Sequence, residues 1–288
     1  LNIIFIGAGN VAWHLASLFS DSEIKDLQIT HIWSRNKENA EQLKQKIDAE
    51  NRKNIEICYS INNSDSGLNF SKTDADLAIL AIADGAFEGV LSKLILPKNC
   101  ILAHTSGAQP MEILKRANQN SLDQNEQKIG VFYPLQTFSK AKEVDFSSIP
   151  FCIEANDKEI EEKLTYLAKQ FSEKVFQVSS KDRSILHVAA VFACNFSNYL
   201  WTISEQILKE KNLPFDMLKP LLEETLQKAL ELNPSNAQTG PAIRNDEKVI
   251  EKHLQMIEEM NKEMNKEMNL NSNFGQIYKL MTESIQKK

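Results

Sequence analysis

The chain has 288 residues, 42% hydrophobic and 25% charged, an ordinary balance for a globular protein and a length that accommodates two domains. Its formal net charge of −6, without a basic tract or arm, argues against nucleic acid or an anionic membrane as partner. No apolar run approaches the ~20 residues that cross a bilayer, and an apolar strand starts at Asn2 with no room for a signal peptide before it, so a cytoplasmic protein is expected. Cys58, Cys100, Cys152 and Cys194 stand far apart with no C-x-x-C pair, which points to buried thiols in a reducing compartment and to no metal site.

The first element is the apolar run at 2–6, followed without a gap by Gly7-Ala8-Gly9-Asn10-Val11-Ala12 and then by helical apolar spacing over 13–19. Strand, glycine turn and helix are the opening of a dinucleotide-binding βαβ unit. In this G-x-G-x-x-A pattern Gly7 permits the tight turn, Gly9 lets the backbone approach a pyrophosphate, and Ala12 keeps the helix close to the strand. The backbone around Gly9, Asn10 and Val11, at the positive end of the helix, is the expected phosphate site. The competing reading is a strand–helix contact that merely tolerates glycine.

A second strand at 27–33 ends in Ser34-Arg35-Asn36. An NAD site of this type carries a carboxylate about 20 residues beyond the glycines, bonded to the ribose hydroxyls. Ser34 and Arg35 stand there instead. A carboxylate repels a 2′-phosphate, whereas a guanidinium grips it, so NADP is expected over NAD. Alternatively, Arg35 is a solvated loop charge or stacks on the adenine. Residues 39–49 read as a charged helix, 55–61 as a third strand and 62–73 as a polar loop. The fourth strand, 75–83, is expected to be fully buried, and its tip at Ala83, Asp84 and Gly85 belongs beside the cofactor, because open α/β sheets bind ligands at the carboxyl ends of their strands.

After a helix at 87–94, a fifth strand at 100–103 delivers His104-Thr105-Ser106-Gly107 to the same edge. His104 is expected to titrate near neutrality and Ser106 to bond a substrate oxygen; the plainer account is a turn with a hydrogen-bonded histidine and a capping serine. A polar loop at 118–128 leads to a strand at 129–133 and then Pro134-Leu135-Gln136-Thr137-Phe138, where Tyr133, Gln136 and Thr137 face the pocket or a proline-ordered crossover accounts for them equally well. Strands at 151–154 and 175–178, around a helix at 158–171, extend the sheet at its far edge. There the α/β alternation ends. A doubly wound, mostly parallel α/β domain at 1–179 and a helical domain at 180–288 are therefore expected.

The helical half opens with one long periodic segment, 182–208. At 100° per residue His187, Val191, Cys194, Asn195 and Asn198 share one face, while Phe192, Phe196, Tyr199 and Leu200 cover the other. The polar face reads as the wall of a cleft opposite the nicotinamide or, more plainly, as a network of buried amides. A helix at 220–232 precedes the Thr239-Gly240-Pro241 turn, where hydroxyl and backbone N–H groups, with Arg244 close behind, could bind an anionic substrate group. The alternative is a helix-start turn with Arg244 and Asp246 as surface charges. The Met-Asn-Lys-Glu repeat at 260–268 ends a helix begun at 249, its methionines forming a packing stripe. A linker at 269–273 and a last amphipathic helix at 274–285 close the sequence.

Taken together, GAGNVAWHLA, HTSGA, YPLQTFS, RSILHVAAVFACNFSNYL and AQTGPAIRND resemble bacterial Rossmann-like NADP oxidoreductases whose C-terminal half is a domain of unknown function. Broader relatives are pyrroline-5-carboxylate reductase, ketopantoate reductase and the 6-phosphogluconate-dehydrogenase-like enzymes. The resemblance implies a Rossmann domain followed by an all-α domain like the C-terminal domain of the last group, with homodimers built through the helices. The repeat at 260–268 departs from it. So does the first long helix. Enzymes of the 6-phosphogluconate type place an acid/base lysine there, one turn before an asparagine; matching that asparagine to Asn195 puts Val191 in the lysine's place.

The expectation is an NADP-dependent oxidoreductase acting on a small carbonyl or imine bound between the two domains. His187 is the expected proton donor, with His104 its alternative, and Asn195 and Ser106 orient the substrate. Asn198, Thr239, Gly240 and Arg244 line the substrate side. A catalytically silent NADP-binding sensor or interaction protein is the alternative, with a nucleotide-binding subunit of a larger assembly behind it.

Overall fold

The computed structural model describes residues 1–21, 24, 27–48, 54–59, 67–117, 127–268 and 273–287. The expected loop at 118–128 and linker at 269–273 fall almost wholly outside these residues, as does the side-chain packing expected of the methionines after Met260. Contacts divide the chain into two units, Leu1–Val191 and Phe192–Lys288.

The N-terminal unit is built on β1 (Asn2–Ile6), β2 (Gln28–Ser34), β3 (Glu56–Tyr59), β4 (Leu77–Leu80), β5 (Ile101–His104), β6 (Ile129–Pro134), β7 (Phe151–Ala155) and β8 (Val175–Gln177). They form one sheet in the order β3-β2-β1-β4-β5-β6-β7-β8. All neighbours are parallel except β6 and β7. The first six strands have the doubly wound dinucleotide-binding order, and β7 and β8 extend the far edge as expected.

Alternation along β1 explains the two layers. Ile3 and Phe5 point to one face, where α1 (Asn10–Asp21), α2 (Lys37–Ile47) and α4 (Lys158–Lys169) pack through Leu15, Leu43 and Leu164. Ile4 and Ile6 point to the other, against Val90 and Leu91 of α3 (Phe87–Leu91) and against Leu114. The strand is buried on both faces, which is why its sequence is a continuous apolar run.

The unit ends in α5 (Ser180–Ala190), which the boundary expected at 179 had assigned to the helical half. A buried polar tie holds the helix to the sheet. Arg183, fully buried, donates from Nη1 to Glu154 Oε2 at 2.5 Å and from Nη2 to the Gln109 carbonyl at 2.7 Å. Ser180 donates to Glu154 from its backbone N–H at 2.9 Å and its hydroxyl at 2.7 Å, and its Oγ accepts the Met111 N–H at 2.9 Å.

The periodic segment expected to run unbroken over 182–208 is interrupted. Residues Val191–Phe196 form a π-helical turn between α5 and α6 (Ser197–Lys209), and the Ser197 hydroxyl donates to the Phe192 carbonyl five residues back at 3.3 Å. Bonding to i+5 widens the turn, so a count of 100° per residue does not carry across it. The shared face of His187, Asn195 and Asn198 is thereby lost as an inference. Cys194, expected buried, is exposed on this turn.

The C-terminal unit adds α7 (Lys219–Leu232), α8 (Glu247–Met268) and α9 (Phe274–Gln286) to α6. Ile203, Ile257 and Phe274 form its buried cluster, with Leu200, Ile207, Ile277 and Tyr278 packed around them. No described helix is long and apolar enough to cross a membrane.

Candidate functional site

The carboxyl ends of β1, β2, β4 and β5 open into one cavity of about 670 Å³, entirely within the N-terminal unit. Strand order reverses between β1 and β4, and this is where a parallel sheet leaves a crevice. Gly7, Gly9, Asn10, Val11, Ser34, Arg35, Ala83, Asp84, Ser106 and His187 all line it. So do Asn36, Asn39, Gly85, Thr105, Gly107, Tyr133 and Gln136.

Each glycine of the first turn has its own reason. Gly7 has φ +118°, and a Cβ there would lie 2.1 Å from the Ala81 carbonyl oxygen, so only glycine fits between the turn and β4. A Cβ on Gly9 would meet no atom within 4 Å; its missing side chain leaves open space on the cavity wall, as a close-lying phosphate group needs. Asn10 donates from Nδ2 to the Phe138 carbonyl at 3.0 Å, which ties the start of α1 to the loop after β6.

At the β2 tip Ser34 is buried, and its Oγ accepts the Asn36 N–H at 3.3 Å. Asn36 caps α2, its Oδ1 accepting from Glu38 N at 2.8 Å and Asn39 N at 3.4 Å. Arg35 is exposed and makes no ion pair among the described residues. The sequence reading missed Asn36 and Asn39 as wall residues, although Ser-Arg-Asn ahead of a helical run is itself a cap signal. An exposed cation, a hydroxyl and a capped helix start, with no carboxylate among them, suit the 2′-phosphate of NADP.

His104 differs from expectation. It is fully buried, lies outside the cavity wall and packs edge-on to the Phe87 ring with 5.6 Å between centroids. Burial, and after it the Arg183 guanidinium, pulls its imidazole from 6.5 down to about 3, against a raising contribution from the Pro110 carbonyl. It is therefore neutral, and its Nδ1 accepts the Ser106 N–H at 3.1 Å. A neutral imidazole accepting at Nδ1 carries its proton on Nε2. His104 shapes the turn and cannot serve as a proton donor that titrates near neutrality. Ser106 Oγ accepts from Ala108 N at 3.1 Å and Gln109 N at 3.0 Å, so this serine organises the turn while also lining the cavity.

His187 is the imidazole that does reach the cavity. Its Nδ1 lies 3.2 Å from the Tyr133 hydroxyl. Tyr133 is buried, and desolvation pushes its phenol up to about 12. Gly107 makes room for the pair, since a Cβ there would lie 2.5 Å from His187 Nδ1 and 2.9 Å from Tyr133 Cζ. Of the residues named here from sequence, Tyr133 in β6 and Gln136 beyond it line the wall and Thr137 does not. Arg183 and Glu154, which anchor the helix carrying His187, were missed.

The remaining candidates belong to the C-terminal unit. Asn195 and Asn198 are exposed. Thr239 lines an apolar pocket of about 360 Å³ with Leu200, Ile203 and Phe274. Gly240 has φ +106° in the turn. Arg244 is exposed, and Asp246 Oδ1 accepts the Val249 N–H at 3.3 Å at the start of α8. Among the described residues no three His, Cys, Asp or Glu side chains are grouped to hold a metal. Burial pushes Cys58 to about 11 and Cys100 to about 12, which keeps both as protonated thiols at neutral pH.

No curated protein matches the chain in sequence. A family model described as "Domain of unknown function (DUF2520)" matches residues 149–285. Among solved structures, a Bacteroides fragilis protein described as a "putative NADP oxidoreductase" is 35% identical, with TM-score 0.77, covering 100% of this chain and 98% of that one. A Thermotoga maritima protein is 20% identical, with TM-score 0.61, covering 99% of this chain and 97% of its own. The 1-pyrroline-5-carboxylate reductase of Streptococcus pyogenes is 12% identical, with TM-score 0.54, covering 100% and 98%. The last two share the fold. With 35% identity along its whole length to the Bacteroides protein, the chain belongs to that protein's family, the Rossmann-like NADP oxidoreductases that carry this domain of unknown function toward the C-terminus.

Proposed function

We propose that the protein transfers hydride between NADP(H) and a small carbonyl or imine. The observation that carries this reading is the single cavity joining the Gly7–Val11 turn, the Ser34–Arg35 tip and the Ser106–His187 end. The nicotinamide, when bound, supplies the hydride. The backbone of Gly9, Asn10 and Val11 would hold the pyrophosphate at the start of α1, and Ser34 with Arg35 the 2′-phosphate. Ala83 and Asp84 wall the middle of the cavity. Ser106 and His187 serve its far end. His187 gives the proton that the acceptor oxygen or nitrogen needs once hydride reaches its carbon, a contribution of about 10²–10⁴-fold for a placed general acid. Asn195, Asn198, Thr239, Gly240 and Arg244 keep their proposed part in substrate binding, tested through KM in Asn195→Ala and Arg244→Ala.

The decisive experiment is a binding titration with NADPH and NADH, beside NADPH consumption on a panel of 2-keto acids, cyclic imines and aldehydes. Arg35→Ala should weaken NADPH by roughly tenfold, as a charged hydrogen bond implies, and leave NADH unchanged. Equal affinity of the wild type for both cofactors would refute the NADP assignment. Tight NADPH binding without turnover would favour the silent binding protein, a reading supported by Val191 at the position where the lysine is expected.

The protein is also proposed to work as a homodimer through its helical unit. Leu226 is 62% and Leu230 77% exposed on α7, a helix with no buried residue, and apolar surface of that kind marks an association face.

A further inference from the structure

We propose that the Tyr133 hydroxyl, 3.2 Å from His187 Nδ1, fixes the imidazole so that Nε2 is the nitrogen offered to the substrate; Tyr133 is a positioning residue for proton transfer. The inference rests on the oxidoreductase reading and deepens it. Three observations converge on it. Both rings line the cavity, and Nε2 of His187 has no hydrogen-bond partner among the described residues. The rings meet edge to face, 6.2 Å apart at 71°, over the space left by the missing side chain of Gly107. The helix beneath them is anchored one turn earlier by Arg183 on Glu154 and the Gln109 carbonyl, so the imidazole is carried on a fixed support.

A phenol suits the task because its oxygen accepts a hydrogen bond. Burial keeps Tyr133 protonated across the physiological range. It accepts from Nδ1–H of the imidazolium and, after Nε2 has given up its proton, from the same Nδ1–H of the neutral ring. In the reduction, hydride brings two electrons to the acceptor carbon and the C=O or C=N π pair moves to the heteroatom. The Nε2–H bond of the imidazolium then breaks and an O–H or N–H bond forms. The neutral imidazole keeps Nδ1–H, donated to Tyr133, and takes its next proton from water. The ring stays in place through the cycle because one hydroxyl serves both states.

The test compares wild type, Tyr133→Phe and Gly107→Ala. Tyr133→Phe removes only the hydroxyl; Gly107→Ala retains it and drives a methyl into the contact. In wild type the ¹⁵N resonances of the His187 ring should be those of one hydrogen-bonded, fixed imidazole. In both variants they should move to the averaged values of a free ring. NADPH affinity should hold, while kcat falls by up to about a hundredfold, as for a misplaced catalytic group. Tyr133→Phe should add nothing in a His187→Ala background. Unchanged ring resonances in both variants, or an unchanged kcat, would overturn the proposal. Shifted resonances in a protein that binds NADPH yet reduces nothing would instead take down the oxidoreductase reading and leave the pair as a ring-orienting contact.

Discussion

The two units differ in how far each has buried its own apolar surface. In the N-terminal unit both faces of the sheet are covered, and Phe5, Phe19, Phe132 and Phe151 are fully buried. Even its buried cation, Arg183, is bonded to a carboxylate, a carbonyl and a hydroxyl. In the C-terminal unit three described side chains make the buried cluster, while Phe192, Tyr199, Leu221, Leu226 and Leu230 face outward. A unit with its sheet covered on both faces and its buried cation paired can hold a binding site to tight tolerances, although Arg183 Nε, His104 Nε2 and Thr165 Oγ1 are buried there without a hydrogen-bond partner among the described residues. A unit that leaves long leucine-bearing helices exposed is shaped to be completed from outside, which agrees with the homodimer proposed above.

The largest effect should come from the polar tie of the first unit. Arg183→Met keeps the volume but leaves Glu154 with the Ser180 bonds alone, a carboxylate only 17% exposed without its cation. Removing one partner of such a pair costs about 3–5 kcal/mol. Urea denaturation followed by circular dichroism should show this as a lowered midpoint. Glu154→Gln, which retains an acceptor and removes the charge from the other side, should also destabilise. A loss under about 1 kcal/mol in Arg183→Met would mean that the pair does not anchor α5, and the contrast between the units would weaken accordingly.

A smaller, pH-dependent effect isolates His104. Its folded value, about 3, lies below the unfolded 6.5. Between those values the unfolded chain binds a proton that the folded chain does not, so stability rises with pH across the window and is lost as pH falls through it. One such group contributes a slope of about 1.4 kcal/mol per pH unit inside the window. His104→Gln should flatten the wild-type slope between pH 6 and 4 by roughly that amount. An identical slope in both proteins would show that His104 is not held neutral. Because His104 shapes the turn that carries Ser106, the same variant should weaken substrate binding at neutral pH.

Much of the first unit was legible in the sequence, for one physical reason. Strands buried on both faces are continuous apolar runs, and the glycine turn sits where strand, turn and helix must meet; hence β1, β4 and β5 and the wall residues Gly7, Gly9, Ser34, Arg35 and Ser106 could be placed. What could not be read depends on contacts distant in sequence. Arg183 looks like a surface residue near a helix start, and only its approach to Glu154 and the 104–111 turn makes it core. His104 was placed correctly at the strand tip, but its chemistry is set by burial against Phe87, which the local sequence does not encode. The π-helical turn at Val191–Phe196 defeated the face assignment of Asn195 and Asn198, because a periodicity count assumes one hydrogen-bond pattern throughout.

The smallest expected change in fold stability belongs to the second unit, and it tests the comparison directly. Leu226 and Leu230 share one face of α7 and are exposed, so replacing them removes no packing within the chain. Leu226→Lys with Leu230→Lys should alter the stability of the isolated chain by no more than about 0.5 kcal/mol per site. If α7 meets a second copy, the added lysines must be desolvated and brought against one another there, and association should weaken by orders of magnitude. Sedimentation velocity over a concentration series reads this separately from folding, with wild type sedimenting as a dimer and the double variant as a monomer of unchanged helicity. A wild type that stays monomeric at every concentration would remove the homodimer and leave the leucines of α7 without an explanation. A double variant that unfolds would show instead that α7 is part of the chain's own core, and the two units would then differ less than their surfaces suggest.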